Sequence, residues 1–188
     1  MPTNPSFVRR HRLGSFGIVV VAALLLGSLG QVRAQTATTV NAGTLTSGDR
    51  KFVDAAAQGG MAEVEMGQMA QQRGAHAQVK TFGQRMVQDH SKANDELKQV
   101  ASAKGVALPT TIGTDHQHHA DRLGKLSGSE FDRAYMQHML DDHKKDVSDF
   151  EKAAADAKDP EVKNFATHTL PTLRTHLQLA QSTYDAIK

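Results

Sequence analysis

The sequence contains no cysteine and no tryptophan, and only five of its 188 residues are proline. Without cysteine the chain has no disulfide framework, no cysteine-ligated zinc or iron–sulfur site, no cysteine nucleophile and no lipid-modified N-terminal cysteine. The length suits one globular domain with an appendage, because domains usually have about 100–200 residues. Any metal site must therefore use nitrogen or oxygen ligands, or the sulfur of methionine.

An excess of one charge is found only at the N-terminus. Residues 1–34 contain four arginines and no acidic residue, whereas the rest of the chain has 18 basic and 20 acidic residues. The formal net charge of +2 averages these two unlike segments. Because the larger segment is slightly acidic, the sequence does not have the basic composition of nucleic-acid-binding domains, and we predict no such partner.

The N-terminal segment has the three parts of a secretory signal peptide. A basic stretch at residues 9–12 precedes an apolar run at residues 16–29, and a small residue, Ala34, precedes Gln35. An anchor helix is the alternative, but the run is shorter than the roughly 20 residues of a membrane span and contains glycine. We predict cleavage after Ala34, no integral membrane insertion afterwards, and a periplasmic or secreted protein with a flexible leader at residues 35–46.

From residue 47 to residue 188 the pattern is helical, because long amphipathic segments are separated by glycine and proline. Four helices are predicted, at about 47–73, 76–104, 127–157 and 160–187, and a short helix can occupy 115–123. Ser127 or Ser129 is the predicted cap of the third long helix, and Pro160 opens the fourth.

The spacing of these helices predicts their connectivity. The first pair and the second pair have very short connections, typical of antiparallel neighbours, whereas the link from about 105 to 126 is long. This predicts an all-α domain, a ferritin-like antiparallel four-helix bundle with one long crossover between helices 2 and 3. A weak repeat, in which residues 79–82 resemble 162–165 and residues 52–54 resemble 131–133, agrees with a duplicated hairpin.

Each long helix has one ionisable residue at the centre of its apolar face. At about 100° per residue these are Glu63, His90, His143 and His176. Their distances from the predicted helix ends differ by two to four residues, or about 3–6 Å, so that all four can meet in one layer. Because buried unpartnered imidazoles and carboxylates are costly, the set predicts a site for a divalent transition metal: zinc, iron, manganese or copper. A hydrogen-bonded Glu–His core without metal is the alternative.

Two aspartates precede two of these histidines in a shared pattern. Asp89 comes before His90, and Asp142 comes before His143. They can orient the ring N–H groups, complete a second metal position, or simply lie on the solvated flank of a helix. No phosphate-binding loop, nucleophile elbow or paired acid–base motif is present, so we assign no catalytic residue and leave open whether the protein is an enzyme.

Four motifs together resemble a known protein family. They lie at residues 86–90, 126–135, 142–143 and 170–176, and the resemblance covers about residues 49–188. The family consists of exported bacterial proteins catalogued as a domain of unknown function, often labelled outer membrane proteins and placed in the ferritin-like superfamily. The resemblance implies a fold more than an activity.

The chain departs from the ferritin-like di-iron pattern. Such proteins carry Glu-x-x-His on two helices, but Val87 and Leu173 stand where the glutamates would be. Three functions follow as alternatives: a periplasmic bundle with one metal ion, an envelope stress or partner-binding bundle without metal, and an oxidase with two metal ions that recruits Asp89 or Asp142.

Overall fold

The computed structural model describes residues 44–188 as an all-helical protein, and no strand occurs in this range. The prediction of an all-α fold is therefore confirmed. The predicted signal peptide at residues 1–34 and the leader up to residue 43 lie outside the described residues. No helix in the described range is both long and apolar enough to span a membrane.

Five helices follow one another along the chain, and their bounds lie within about one residue of the predicted ones. The elements are α1 Ser47–Arg73, α2 Ala77–Ala103, α3 Thr114–Leu123, α4 Gly128–Asp156 and α5 Pro160–Ala186. The Thr46 hydroxyl caps α1 by accepting a hydrogen bond from the Asp49 amide, and the Asp159 carboxylate caps α5.

One predicted cap is wrong. Ser127 stands at the N-cap of α4 but makes no side-chain cap hydrogen bond, and Ser129 lies inside the helix. The next residue, Gly128, has a φ of 62°, so the backbone turns there through a conformation that glycine adopts without strain. The glycine conformation, more than a hydroxyl cap, marks this helix start.

The long helices pack as two hairpins. The first hairpin consists of α1 and α2, the second of α4 and α5, and each is joined by a three-residue turn. The hairpins meet where α2 packs against α5 and α1 against α4, and α3 lies on α1 and α4. Short turns leave neighbouring helices no room for any other arrangement than side by side.

Each hairpin holds the turn of the other through a buried aspartate. Asp132 of α4 accepts hydrogen bonds from the amides of Ala75 and His76, with N···O distances of 2.8–3.2 Å. Asp49 of α1 accepts in the same way from the amides of Lys158 and Asp159, at 3.0–3.2 Å. The two contacts are related by an offset of 83 residues, which is also the offset of the repeat at residues 79–82 and 162–165.

The apolar core is divided into two clusters. One contains Met66, Phe82, Met86 and Met139, and the other contains Val53, Leu97, Phe150 and Leu173. On α2, α4 and α5, the residue predicted to face inward stands between the part belonging to one cluster and the part belonging to the other, and on α1 Glu63 lies next to Ala62, where the first cluster begins. The candidate site therefore forms a polar layer that separates two apolar regions.

Candidate metal centre

The structure brings the four predicted site residues together in the core. Glu63, His90, His143 and His176 are 1%, 5%, 0% and 0% exposed, respectively. One nitrogen from each of the three imidazole rings lies within 4.8 Å of a nitrogen of the other two, and the ring centroids are 5.2–5.8 Å apart. The helical phases and depths inferred from sequence therefore place these side chains in one layer.

His143 has one nitrogen committed to the backbone. Its Nδ1 donates a hydrogen bond to the carbonyl oxygen of Met139 one turn earlier, at 2.9 Å. In the neutral ring, Nε2 then carries a lone pair and no hydrogen. This Nε2 lies 3.3 Å from Glu63 Oε1, and neither atom has a hydrogen-bond partner. Two acceptor atoms thus face each other in the core.

His176 is held in the same manner by a carboxylate. Its Nε2 lies 2.8 Å from Asp89 Oδ2, and Asp89 is also paired with Arg85. Burial raises the pKa of Asp89, but the hydrogen bonds from Arg85 and His176 outweigh it and hold the pKa below its usual value. The Nε2–H of a neutral His176 therefore faces an ionised acceptor, and its Nδ1 is buried without a partner.

His90 completes the group through Glu63. Its Nδ1 lies 2.8 Å from Glu63 Oε2, whereas its Nε2 is buried without a partner. Glu63 consequently touches one histidine of each hairpin. In each of the three imidazoles, one nitrogen lies 2.8–2.9 Å from a polar partner, and the other nitrogen has no hydrogen-bond partner. Proteins present histidine to a metal in this arrangement.

Burial keeps the three imidazoles neutral. It lowers the pKa of His90 and of His176 to about 4, and it lowers the pKa of His143 well below its usual value, with help from the two neighbouring rings. Burial also raises the pKa of Glu63, and the charge of Asp142 adds to this shift. Neutral imidazoles with free lone pairs are the form that ligates metals.

The two predicted accessory aspartates have different positions. Asp89 contacts His176 from α5, and not the ring of its neighbour His90. Asp142 instead lies with Glu63 and Asp146, because one carboxylate oxygen from each of the three lies within 4.8 Å of the other two.

Sequence reasoning missed two members of this region. Asp146 stands one helical turn after Asp142, and this spacing was the signal that could have revealed it. The other is Tyr135, which is fully buried and whose hydroxyl has no partner. Burial and the charge of Glu63 raise the pKa of Tyr135. Nothing in its sequence context distinguishes this tyrosine from an ordinary core residue.

The family of the chain follows from its sequence. Residues 34–183 match the model of the family described as Domain of unknown function (DUF4142). The chain belongs to this family. No curated protein sequence shows significant similarity to it.

Two solved structures show the same fold. A DUF305 fragment from Deinococcus radiodurans superposes with a TM-score of 0.67 at 15% identity, over 77% of this chain and 99% of that one. The Cu(II)-bound form of CopM superposes with a TM-score of 0.63 at 17% identity, over 74% of this chain and 97% of that one.

Proposed function

We propose that this protein binds one divalent transition metal ion through Glu63, His90, His143 and His176. The contact of His143 Nε2 with Glu63 Oε1 carries the proposal, because two lone-pair atoms lie 3.3 Å apart in the core without a hydrogen bond. Ligand atoms about 2.0–2.1 Å from a tetrahedral zinc ion are roughly 3.3 Å apart. A cation held between these atoms turns their repulsion into attraction.

A proton on Glu63 is the competing explanation, since a carboxylic acid can donate to His143 Nε2. One proton satisfies one such contact, however, and His90 Nε2 and His176 Nδ1 would remain buried without partners. Each unsatisfied buried polar group costs about 1–3 kcal/mol. A single cation can satisfy all the ligand residues at once, which favours the metal.

The donor set limits the choice of metal. Three imidazoles and one carboxylate suit zinc, iron, manganese or copper(II), whereas calcium and magnesium prefer oxygen ligands. CopM, whose fold is similar to that of this chain, has been solved in a Cu(II)-bound form, and this supports copper as the first metal to test. Four protein ligands suit a stored or structural ion.

The proposal includes the setting of the site. The two hairpins form a ferritin-like antiparallel four-helix bundle, with the link between α2 and α4 as its long crossover. The protein is exported with a signal peptide cleaved after Ala34, and it holds its metal in the periplasm or outside the cell. The three-part pattern of residues 1–34 supports the export.

Metal analysis of untagged protein isolated from the periplasm tests the proposal. We expect about one equivalent of copper, zinc, iron or manganese in the wild type and a large loss of it in His176→Ala. The matched control is His168→Ala, because His168 lies on the same helix but is exposed. The control should keep wild-type metal content.

Two results would contradict the proposal. The first is His176→Ala protein with wild-type metal content. The second is wild-type protein that contains no metal and gains no thermal stability when copper, zinc, iron or manganese is added. The second result would support an envelope bundle whose buried histidines serve packing or partner binding.

A further inference from the structure

A second group of possible ligands adjoins the histidines. Glu63, Asp142 and Asp146 each have a carboxylate oxygen within 4.8 Å of the other two. Glu63 is 1% exposed and its Oε1 has no hydrogen-bond partner, and Asp142 Oδ2 is likewise buried and without a partner. Like charges held so close in a largely apolar setting are costly without a compensating cation.

Among the described residues, no lysine or arginine forms an ion pair with these three carboxylates. Within residues 44–188, neither Asp142 nor Asp146 forms an ion pair, and Glu63 lies within ion-pair distance only of His90 and His143. Lys145, the neighbour of Asp146 on α4, pairs instead with Asp149, at 2.6 Å. Burial raises the pKa of Asp146 and the charge of Lys145 lowers it, but in the part of the chain that the structure describes no lysine or arginine forms a direct ion pair with any of the three carboxylates.

The position of Asp146 in the fold gives a further indication. Glu63 and Asp146 are separated by 83 residues, the offset that also relates Asp49 to Asp132. They therefore occupy matching positions on the first helices of the two hairpins. Because α1 packs against α4, matching positions near the middle of these two helices come together.

We propose that Glu63, Asp142 and Asp146 bind a second divalent cation, with Glu63 shared between this cation and the histidine-ligated metal. The inference rests on the proposed function, because Glu63 belongs to both sites. An all-carboxylate set favours cations that prefer oxygen, such as manganese(II) or magnesium, over copper. The protein is then a carrier of two unlike metal ions.

The second site can be reached from solvent. Asp142 and Asp146 are half-buried and line a groove that also includes Asp149, His119 and His138. The histidine-ligated ion lies deeper, since two of its three imidazoles are 0% exposed. We therefore expect the second cation to exchange faster than the first.

The test uses full-length mature protein loaded with one equivalent of Cu(II) and then titrated with Mn(II). Electron paramagnetic resonance reports both binding and proximity, because a nearby Mn(II) broadens the Cu(II) signal. We expect one further equivalent of Mn(II) and a broadened copper signal in the wild type. Asp142→Asn/Asp146→Asn should keep the copper, lose the Mn(II) and leave the copper signal unchanged.

The control is Asp141→Asn, because Asp141 neighbours Asp142 on α4 but is exposed. It should behave as the wild type does, and circular dichroism should show that all variants are folded. If the double variant is unfolded, Asp146→Asn alone serves, with at least a tenfold weaker affinity for Mn(II) expected.

The outcomes separate this inference from the proposed function. Copper binding without Mn(II) binding or broadening in the wild type overturns the second site and leaves the first intact. Retention of Mn(II) by the folded double variant also overturns it. If that variant loses both copper and Mn(II), the aspartates belong to the first site, and the proposal of a separate second site is overturned. A wild type that binds no metal at all overturns both proposals.

Discussion

The two hairpins share a framework but differ in chemistry. Residues with the same framework role recur 83 positions apart, as Phe82 and Phe165 do in the core and as Asp49 and Asp132 do at the turns. The three histidines of the candidate site do not recur. At this offset, Leu173 matches His90, Gly60 matches His143 and Ala93 matches His176. The duplicated framework thus sets the positions, and single divergent side chains supply the ligands.

The hairpins also differ in the residues that stand where the two helices of the first hairpin make close backbone contact. In the first hairpin Gly67 faces Gly83, and a Cβ added at Gly83 would lie 2.7 Å from the Gly67 carbonyl oxygen. The matching positions of the second hairpin are Phe150 and Ala166. Close backbone contact in the first hairpin accompanies the direct contact of Glu63 with His90, whereas His143 and His176 meet only as neighbouring rings.

Acidification should have the largest effect on the metal-free protein, and both hairpins should contribute. Burial lowers the pKa of His90 and of His176 to about 4, against about 6.5 in an unfolded chain. Because the unfolded chain takes up these protons first, stability is full above pH 6.5 and is lost as pH falls toward 4. Each histidine contributes about 3 kcal/mol to this loss.

Urea unfolding of chelator-treated protein between pH 7 and 4 measures this loss. In His90→Leu, which places the leucine of the second hairpin in the first, the dependence of the unfolding free energy on pH should become shallower by about a third, because His143 and His176 still take up protons on unfolding. An unchanged slope in this variant would mean that His90 is not kept neutral by burial.

Metal binding should join the hairpins, and the stability that it adds is the second largest of the predicted effects. A ligand at a hundredfold excess over its Kd adds about 2.7 kcal/mol if it binds only the folded state. His90→Ala in the first hairpin and His176→Ala in the second should each abolish this gain, because both sit in one site. Thermal unfolding with and without Cu(II) measures the effect. A variant that keeps half of the gain would indicate separate binding in each hairpin.

Removal of the turn aspartates should cost about 2 kcal/mol, since buried backbone N–H groups lose their acceptor. Asp132→Ala should cost more than Asp49→Ala, because Asp132 Oδ2 also lies 2.6 Å from the ring Nδ1 of His76. Urea unfolding of both variants checks the order. Equal losses would contradict the contribution of His76, and losses below about 0.5 kcal/mol in both variants would show that the aspartates do not connect the hairpins.

The smallest predicted effect concerns the close contact in the first hairpin. Gly83→Ala brings a methyl group 2.6 Å from the Ala70 Cβ, so we expect a loss of about 1 kcal/mol despite the better helix propensity of alanine. Gly59→Ala is the control, because a Cβ there meets no atom within 4 Å. It should stabilise by up to about 1 kcal/mol. Chemical unfolding would refute the tight contact if both variants gained stability.

The sequence predicted those features that depend on helical periodicity. The helix bounds and the convergence of Glu63, His90, His143 and His176 follow from one rotation of about 100° per residue and one rise per residue. The partner of Asp89 did not follow, because it lies on another helix and depends on the rotation of α5 against α2. Asp49 and Asp132 were missed for the same reason: their acceptor role appears only when the two hairpins meet.

The reciprocal contacts of Asp49 and Asp132 have the form of an isologous interface, in which residue i of one unit binds residue j of the other and the reverse. Here the two units are hairpins of one chain. Each hairpin therefore carries both the acceptor and the turn that needs one, so two copies of a single hairpin could satisfy each other as a homodimer. The long link that contains α3 makes such a pair a single molecule, and it frees the two copies to carry different residues.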